Sequence, residues 1–165
     1  MGIKFSADEV FEMAEQIEKN GASYYRKAAE NFTDPKVSKI LNALAEMEMA
    51  HRIIFQALRQ ELKDAEKQPG AKNYADPEQT QAYLKVMADG KVFDVKENPA
   101  KKITGKESLA DIFKKAIGME KDSIVFYMSL KEFVPSAAGR DKVDGIIKEE
   151  MNHIVILNET WAGMR

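Results

Sequence analysis

Only two histidines occur in the sequence, and each lies three residues after a glutamate: Glu48 precedes His51 and Glu150 precedes His153. On an α-helix that separation puts both side chains on one face, aimed at the same volume. A carboxylate and an imidazole pointed at one place are metal ligands by type, and iron, manganese or zinc would each accept them. The chain has no cysteine, which removes disulfides, thiolate ligands, iron–sulfur clusters and Cys-x-x-Cys motifs from consideration. Any metal must therefore be held by oxygen and nitrogen.

The elements that would carry these pairs are long amphipathic helices. From Ser6 to about Phe32 the apolar and small residues Val10, Ala14, Ile17, Gly21, Tyr25, Ala28 and Phe32 recur every three or four positions, with Glu18 inside the stripe. Ser6 and Glu9 read as a capping box at its start, while Glu12 and Glu15 read as solvated surface. Asp34 and Pro35 supply an N-cap and a first-turn proline, so a second helix follows after a short turn and runs to about Glu66 on Val37, Ile40, Leu41, Leu44, Phe55, Leu58 and Leu62. Glu48 and His51 fall in the middle of that apolar stripe. An ionisable group on a buried face costs several kcal/mol unless something pairs with it, and a bound cation is a sufficient partner.

A third long helix is expected from Ser108 to about Val134 on Ile112, Ala116, Ile124, Tyr127 and Leu130, with Glu120 on its stripe. After Pro135 a fourth runs from about Ala137 to Trp161 on Val143, Ile146, Ile147, Ile154, Leu157 and Trp161, with Glu150 and His153 among them and Glu149 turned to solvent. The connector between the second and third is broken by Pro69-Gly70, Asp76-Pro77, Asp89-Gly90, Asn98-Pro99 and Thr104-Gly105. It leaves one helix, Pro77 to Ala88, carrying Tyr83, Val86 and Met87, and a short apolar stretch from Val92 to Val95. A connector of that size can travel the length of a long helix and let the next one start at the far end.

One offset of 102 residues relates the two halves: Glu18 to Glu120, Glu48 to Glu150, His51 to His153, and also Ala14 to Ala116, Tyr25 to Tyr127 and Ile54 to Ile156. Such a shared register reads as a duplicated helical hairpin. The expected organisation is a single all-α domain over residues 1–165: an antiparallel four-helix bundle of hairpin 6–66, crossover 67–107 and hairpin 108–163. Two such hairpins about a pseudo-twofold bring four glutamates and two histidines to one centre. A lone Glu-x-x-His would be as readily a satisfied core pair; its repetition at a common offset is what favours metal.

Composition fits a charged globular domain, with 32% charged and 44% apolar residues and a net charge of -2. That balance gives no electrostatic case for nucleic acid or an anionic membrane as partner. No apolar run reaches a membrane span and no secretory signal opens the sequence, so the expected location is cytoplasmic.

A glutamate from each of two helices and Glu-x-x-His from each of the other two is the ligand pattern of the ferritin-like di-iron carboxylate proteins. Within them, Glu48 to His51 followed by Phe55, together with Glu150 to His153, most resembles the rubrerythrin family over nearly the whole chain outside the connector. The resemblance implies Glu18, Glu48, His51, Glu120, Glu150 and His153 as ligands of two Fe ions, with Glu48 and Glu150 bridging, and a small homo-oligomer or homodimer. It implies an oxidoreductase that reduces hydrogen peroxide or dioxygen; the alternatives are an iron-storage protein and a bundle with a structural Zn or Mn site. Tyr25 and Tyr127, two turns beyond Glu18 and Glu120, are candidates to hydrogen-bond the ligand glutamates of a neighbouring helix, and ordinary core tyrosines are the competing reading. The sequence departs from the pattern twice. Without the four cysteines of a rubredoxin-type domain an external electron donor is needed. Ser123 stands where rubrerythrins tend to carry a further glutamate, so ligand switching between redox states is expected to be reduced or absent.

Overall fold

The structure, a computed structural model, describes residues 5–68, 78–88 and 96–164. Five α-helices span Ala7–Ala29 (α1), Pro35–Gln60 (α2), Glu78–Ala88 (α3), Leu109–Leu130 (α4) and Ala137–Ala162 (α5), and the described residues contain no strand. Each start is written in the local sequence. Ser6 and Glu9 close a capping box on α1, Ser108 and Asp111 do the same on α4, Asp34 caps α2 with Pro35 in its first turn, and the Ser136 side chain accepts from Gly139 N–H at α5. Each such cap is worth about 1 kcal/mol and fixes where the helix begins.

The long helices run antiparallel in sequence pairs. Arg59, near the end of α2, donates to Asp8 at the start of α1 through Nε and Nη2, at 2.8 and 2.9 Å, and to Glu15 through Nη1 at 3.4 Å. Glu15 therefore serves this bridge and is only partly solvated. Lys131, just past α4, likewise reaches Asp144 near the start of α5. Across the pairs, the Tyr24 hydroxyl on α1 donates to the Ile112 carbonyl on α4 (3.0 Å), so the end of α1 lies beside the start of α4. The end of α2 and the start of α4 are thus at opposite ends of the bundle, and the intervening chain must cross its length. Along that route Gln81 of α3 accepts from Phe5 N–H (2.8 Å), and Asn20 of α1 donates to the Glu97 carbonyl (3.2 Å) beside a 3-10 turn at Pro99–Lys102.

Several boundaries differ from the sequence expectation. α1 ends at Ala29 and α2 at Gln60, short of Phe32 and Glu66. No breaker precedes Pro69, but the chain turns back after Gln60, with Glu66 accepting from Lys63 N–H (2.8 Å) and Leu62 still buried outside the helix. In α3 the buried residues are Leu84 and Met87, whereas Val86 is exposed. The Val92 to Val95 stretch and the Pro69-Gly70, Asp76-Pro77 and Asp89-Gly90 breaks fall outside the described residues.

Two apolar clusters fill the bundle. One contains Phe11, Phe55, Leu58, Phe126 and Leu130; the other contains Tyr25, Leu41, Leu44, Phe113 and Leu157. Glu18, Glu48, His51, Glu120, Glu150 and His153 belong to neither, yet all are buried. The interior therefore has apolar packing on either side of a charged layer, and that layer requires its own account.

Candidate metal centre

α1 and α4 each contribute one glutamate to this layer, and α2 and α5 each contribute a glutamate and a histidine, one turn apart. None of the six is more than 4% exposed. Both rings present Nδ1 to the carboxylates. His51 Nδ1 lies 3.1 Å from Glu150 Oε1 and 3.7 Å from Glu18 Oε1; His153 Nδ1 lies 2.8 Å from Glu150 Oε2, 3.2 Å from Glu48 Oε1 and 3.4 Å from Glu120 Oε1. The rings themselves stack, with centroids 5.6 Å apart and planes 19° from parallel.

The outer glutamates are held by tyrosines from the facing helix. The Tyr127 hydroxyl donates to Glu18 Oε1 at 2.6 Å, and the Tyr25 hydroxyl donates to Glu120 Oε1. The 102-residue offset exchanges these two bonds, so the duplication reaches down to side-chain contacts. Sequence reading puts Glu149 in solvent, and the structure agrees that it is exposed but adds a contact the sequence does not show. Its side chain is 55% exposed, but Oε2 lies 2.8 Å from His51 Nε2. An acceptor there holds the ring by its outer nitrogen and leaves Nδ1 facing the other acids. No sequence signal marks this contact, because the offset pairs Glu149 with Met47. His153 Nε2 has no hydrogen-bond partner among the described residues.

Burial and crowding shift every acid-base equilibrium in the layer. Burial, followed by the charges of Glu48 and Glu150, pushes the Glu18 carboxyl well above the usual range, and burial and the Glu48 charge do the same to Glu120. For the imidazoles burial works against charge, but the contacts of His51 with Glu150 and Glu149 outweigh it and raise that ring to about 9; His153 is pushed further up by Glu120, Glu150 and Glu48. Burial would also lift Glu150, yet its contacts with His153 and His51 hold its carboxyl down at about 2. Without a metal, protons hold this cluster together.

A cation fits better. Among the described residues Glu18 Oε2, Glu48 Oε1, Glu150 Oε2 and His153 Nδ1 are buried without a well-directed hydrogen bond, although His153 Nδ1 lies within ion-pair distance of Glu150 Oε2 and Glu48 Oε1; that is an expensive state for carboxylates, and a cation among them would offset it. The donors fall into two sets, Glu18, Glu48, His51 and Glu150, and Glu48, Glu120, Glu150 and His153; within each, one ligand atom per residue lies within 4.8 Å of the others. Glu48 and Glu150 appear in both, as carboxylates shared by two neighbouring cations would. Imidazole nitrogen and carboxylate oxygen suit Fe, Mn or Zn.

The rubrerythrin family model matches residues 9–160. The chain belongs to the rubrerythrin family. A crystal structure of a protein described as ferritin-like and diiron-carboxylate, from Thermotoga maritima, matches this chain with a TM-score of 0.70, over 96% of each chain and at 24% identity, a likeness of fold. No curated protein matches the sequence. Among the described residues no helix is long and apolar enough to cross a membrane.

Proposed function

We propose that this protein is a di-iron oxidoreductase that reduces hydrogen peroxide or dioxygen, drawing electrons from an external donor. The observation that carries the reading is the pair of four-residue donor sets sharing Glu48 and Glu150 inside a sealed bundle. Two irons held there would each give up one electron, together the pair that reduction of peroxide to water consumes. The surrounding chain does the remaining work. Phe55, Phe113 and Phe126, each fully buried, keep bulk water from the centre. Tyr25 and Tyr127 fix the outer carboxylates, and Glu149 fixes His51. The protein acts in the cytoplasm as a homodimer or other small homo-oligomer.

The test is metal analysis with a visible spectrum of protein made in iron-replete medium. Two irons per chain, with an absorption that bleaches on reduction and returns with peroxide, support the proposal. Colourless protein holding stoichiometric zinc defeats it. Size-exclusion chromatography separates the storage alternative, because a closed storage cage would elute as a very large particle.

A further inference from the structure

Every donor of the metal centre is shut off from solvent, so a cation needs a way in. Apolar clusters lie on either side of the layer, and a divalent ion crossing one of them would lose its hydration with nothing to replace it. Entry is therefore lateral, along a seam between helices where protein donors can take over from water one at a time. Among the described residues the side chains that bond or ion-pair with the six donors are at most 4% exposed, Tyr25 and Tyr127 included, except Glu149, which is 55% exposed. Glu149 is on α5 and its partner His51 on α2, so their 2.8 Å contact bridges the seam between these two helices; Lys142 of α5 and Glu61 of α2 bridge it again nearer the bundle end, at 3.6 Å. His51 thus has an acid at each nitrogen, Glu149 outside at Nε2 and Glu150 inside, 3.1 Å from Nδ1. Room in front of Glu149 comes from Gly145, one turn earlier on the same face of α5, where an added Cβ would have nothing within 4 Å. The other half of the duplication lacks this step: the 102-residue offset pairs Glu149 with Met47, and His153 Nε2 has no partner among the described residues.

We propose that Glu149 is the capture point through which divalent cations enter the centre. The exposed carboxylate takes a hydrated cation from solvent and gives up its bond to His51 Nε2, and the freed ring turns aside to let the ion pass to Glu18 and Glu150 behind it. The inference rests on the metal-centre reading and adds to it the seam of entry and the residue that receives the ion. It also gives one side chain two separable roles. A partner that only holds the ring alters how tightly one cation is kept. An entry point speeds arrival and departure by the same factor and leaves the dissociation constant unchanged. The two roles part at the set containing Glu120 and His153, of which His51 is not a member.

The test mixes metal-free protein with Co(II) in a stopped-flow spectrophotometer, reading uptake from the visible absorption of the bound ion and release from its loss on adding a chelator. Glu18→Ala, which leaves the Glu120 and His153 set to fill alone, assigns the phase that belongs to that set. In Glu149→Gln the amide oxygen can still accept from the ring but carries no charge; uptake by both sets should slow by about tenfold, with release from the Glu120 and His153 set slowed equally and its dissociation constant unchanged. Glu149→Lys should slow uptake further. Gly145→Leu, at a position with no packed neighbour, should slow uptake and release alike by crowding the approach to an intact Glu149. Wild-type uptake rates at the Glu120 and His153 set in both Glu149 variants would overturn the proposal. So would faster release from the Glu18 and His51 set as the sole change, which is what a purely positioning residue produces. Either result leaves the metal centre in place, whereas wild-type protein that binds no Co(II) would overturn the proposal and the metal-centre reading together.

Discussion

Replacing Glu149 by alanine removes the hydrogen bond to the outer nitrogen of His51, a 2.8 Å contact from a half-exposed carboxylate to a fully buried ring. A partner of this kind selects the tautomer with Nδ1 unprotonated, stops the ring from swinging, and raises its basicity toward a metal. Its removal typically weakens metal binding by about 10- to 100-fold, or about 1.4–2.8 kcal/mol. Because the Glu149 side chain opens to solvent, a water can take over the acceptor role, so the expected loss is the lower bound, about tenfold. It should fall on one cation only. His51 belongs to the set with Glu18, whereas the Glu120 and His153 set does not include it, and among the described residues His153 Nε2 has no corresponding partner. The assay is calorimetric titration of metal-free protein with Mn(II), fitted to two sites. One dissociation constant should rise about tenfold and the other hold, with Glu149→Gln intermediate because its amide oxygen can still accept. Equal weakening of both sites, or of neither, would refute the argument that Glu149 positions His51.

Other consequences are equally direct. Glu48→Ala removes a donor common to both sets and should leave less than one metal per chain, whereas Glu18→Ala and Glu120→Ala should each leave about one, read by elemental analysis. Because the contacts of His51 with Glu150 and Glu149 push its ring up to about 9 and burial raises Glu18 and Glu120, a cation must displace their protons; metal affinity should climb as pH rises toward about 9, and a pH-independent affinity would contradict the shifts. Tyr127→Phe strips Glu18 of its donor and should lower unfolding stability by about 1–3 kcal/mol, measured by denaturant titration. Phe55→Ala, in the core beside Tyr127, should cost about 3–5 kcal/mol by the same measurement.

The sequence exposes the metal centre because buried acids are conspicuous. Glu18, Glu48, Glu120 and Glu150 each interrupt an apolar stripe, and an interrupted period is a local signal. The duplication then supplies the long-range one, since a fixed offset relates positions on helices that never touch in sequence. Helix starts are legible for the same local reason: Ser6, Asp34, Ser108 and Ser136 bond backbone groups two or three residues ahead. Glu149 is illegible because its partner lies 98 residues away and its own period places it on the solvent side. The end of α2 escapes notice because tertiary folding of residues 61–68 overrides a pattern that still buries Leu62. Leu84 rather than Val86 packs inward because α3 rests on the bundle end beside Phe5, and an 11-residue helix does not by itself say which face will find a neighbour.

Each hairpin holds half of the donors, one glutamate from its first helix and a glutamate with a histidine from its second. Neither half can neutralise its own interior acids, so a separated hairpin has reason to stay open in water and little reason to close on itself. Severing the polypeptide within the crossover would consequently yield two fragments whose reassociation and uptake of cations form a single event, with metal acting as the adhesive between them.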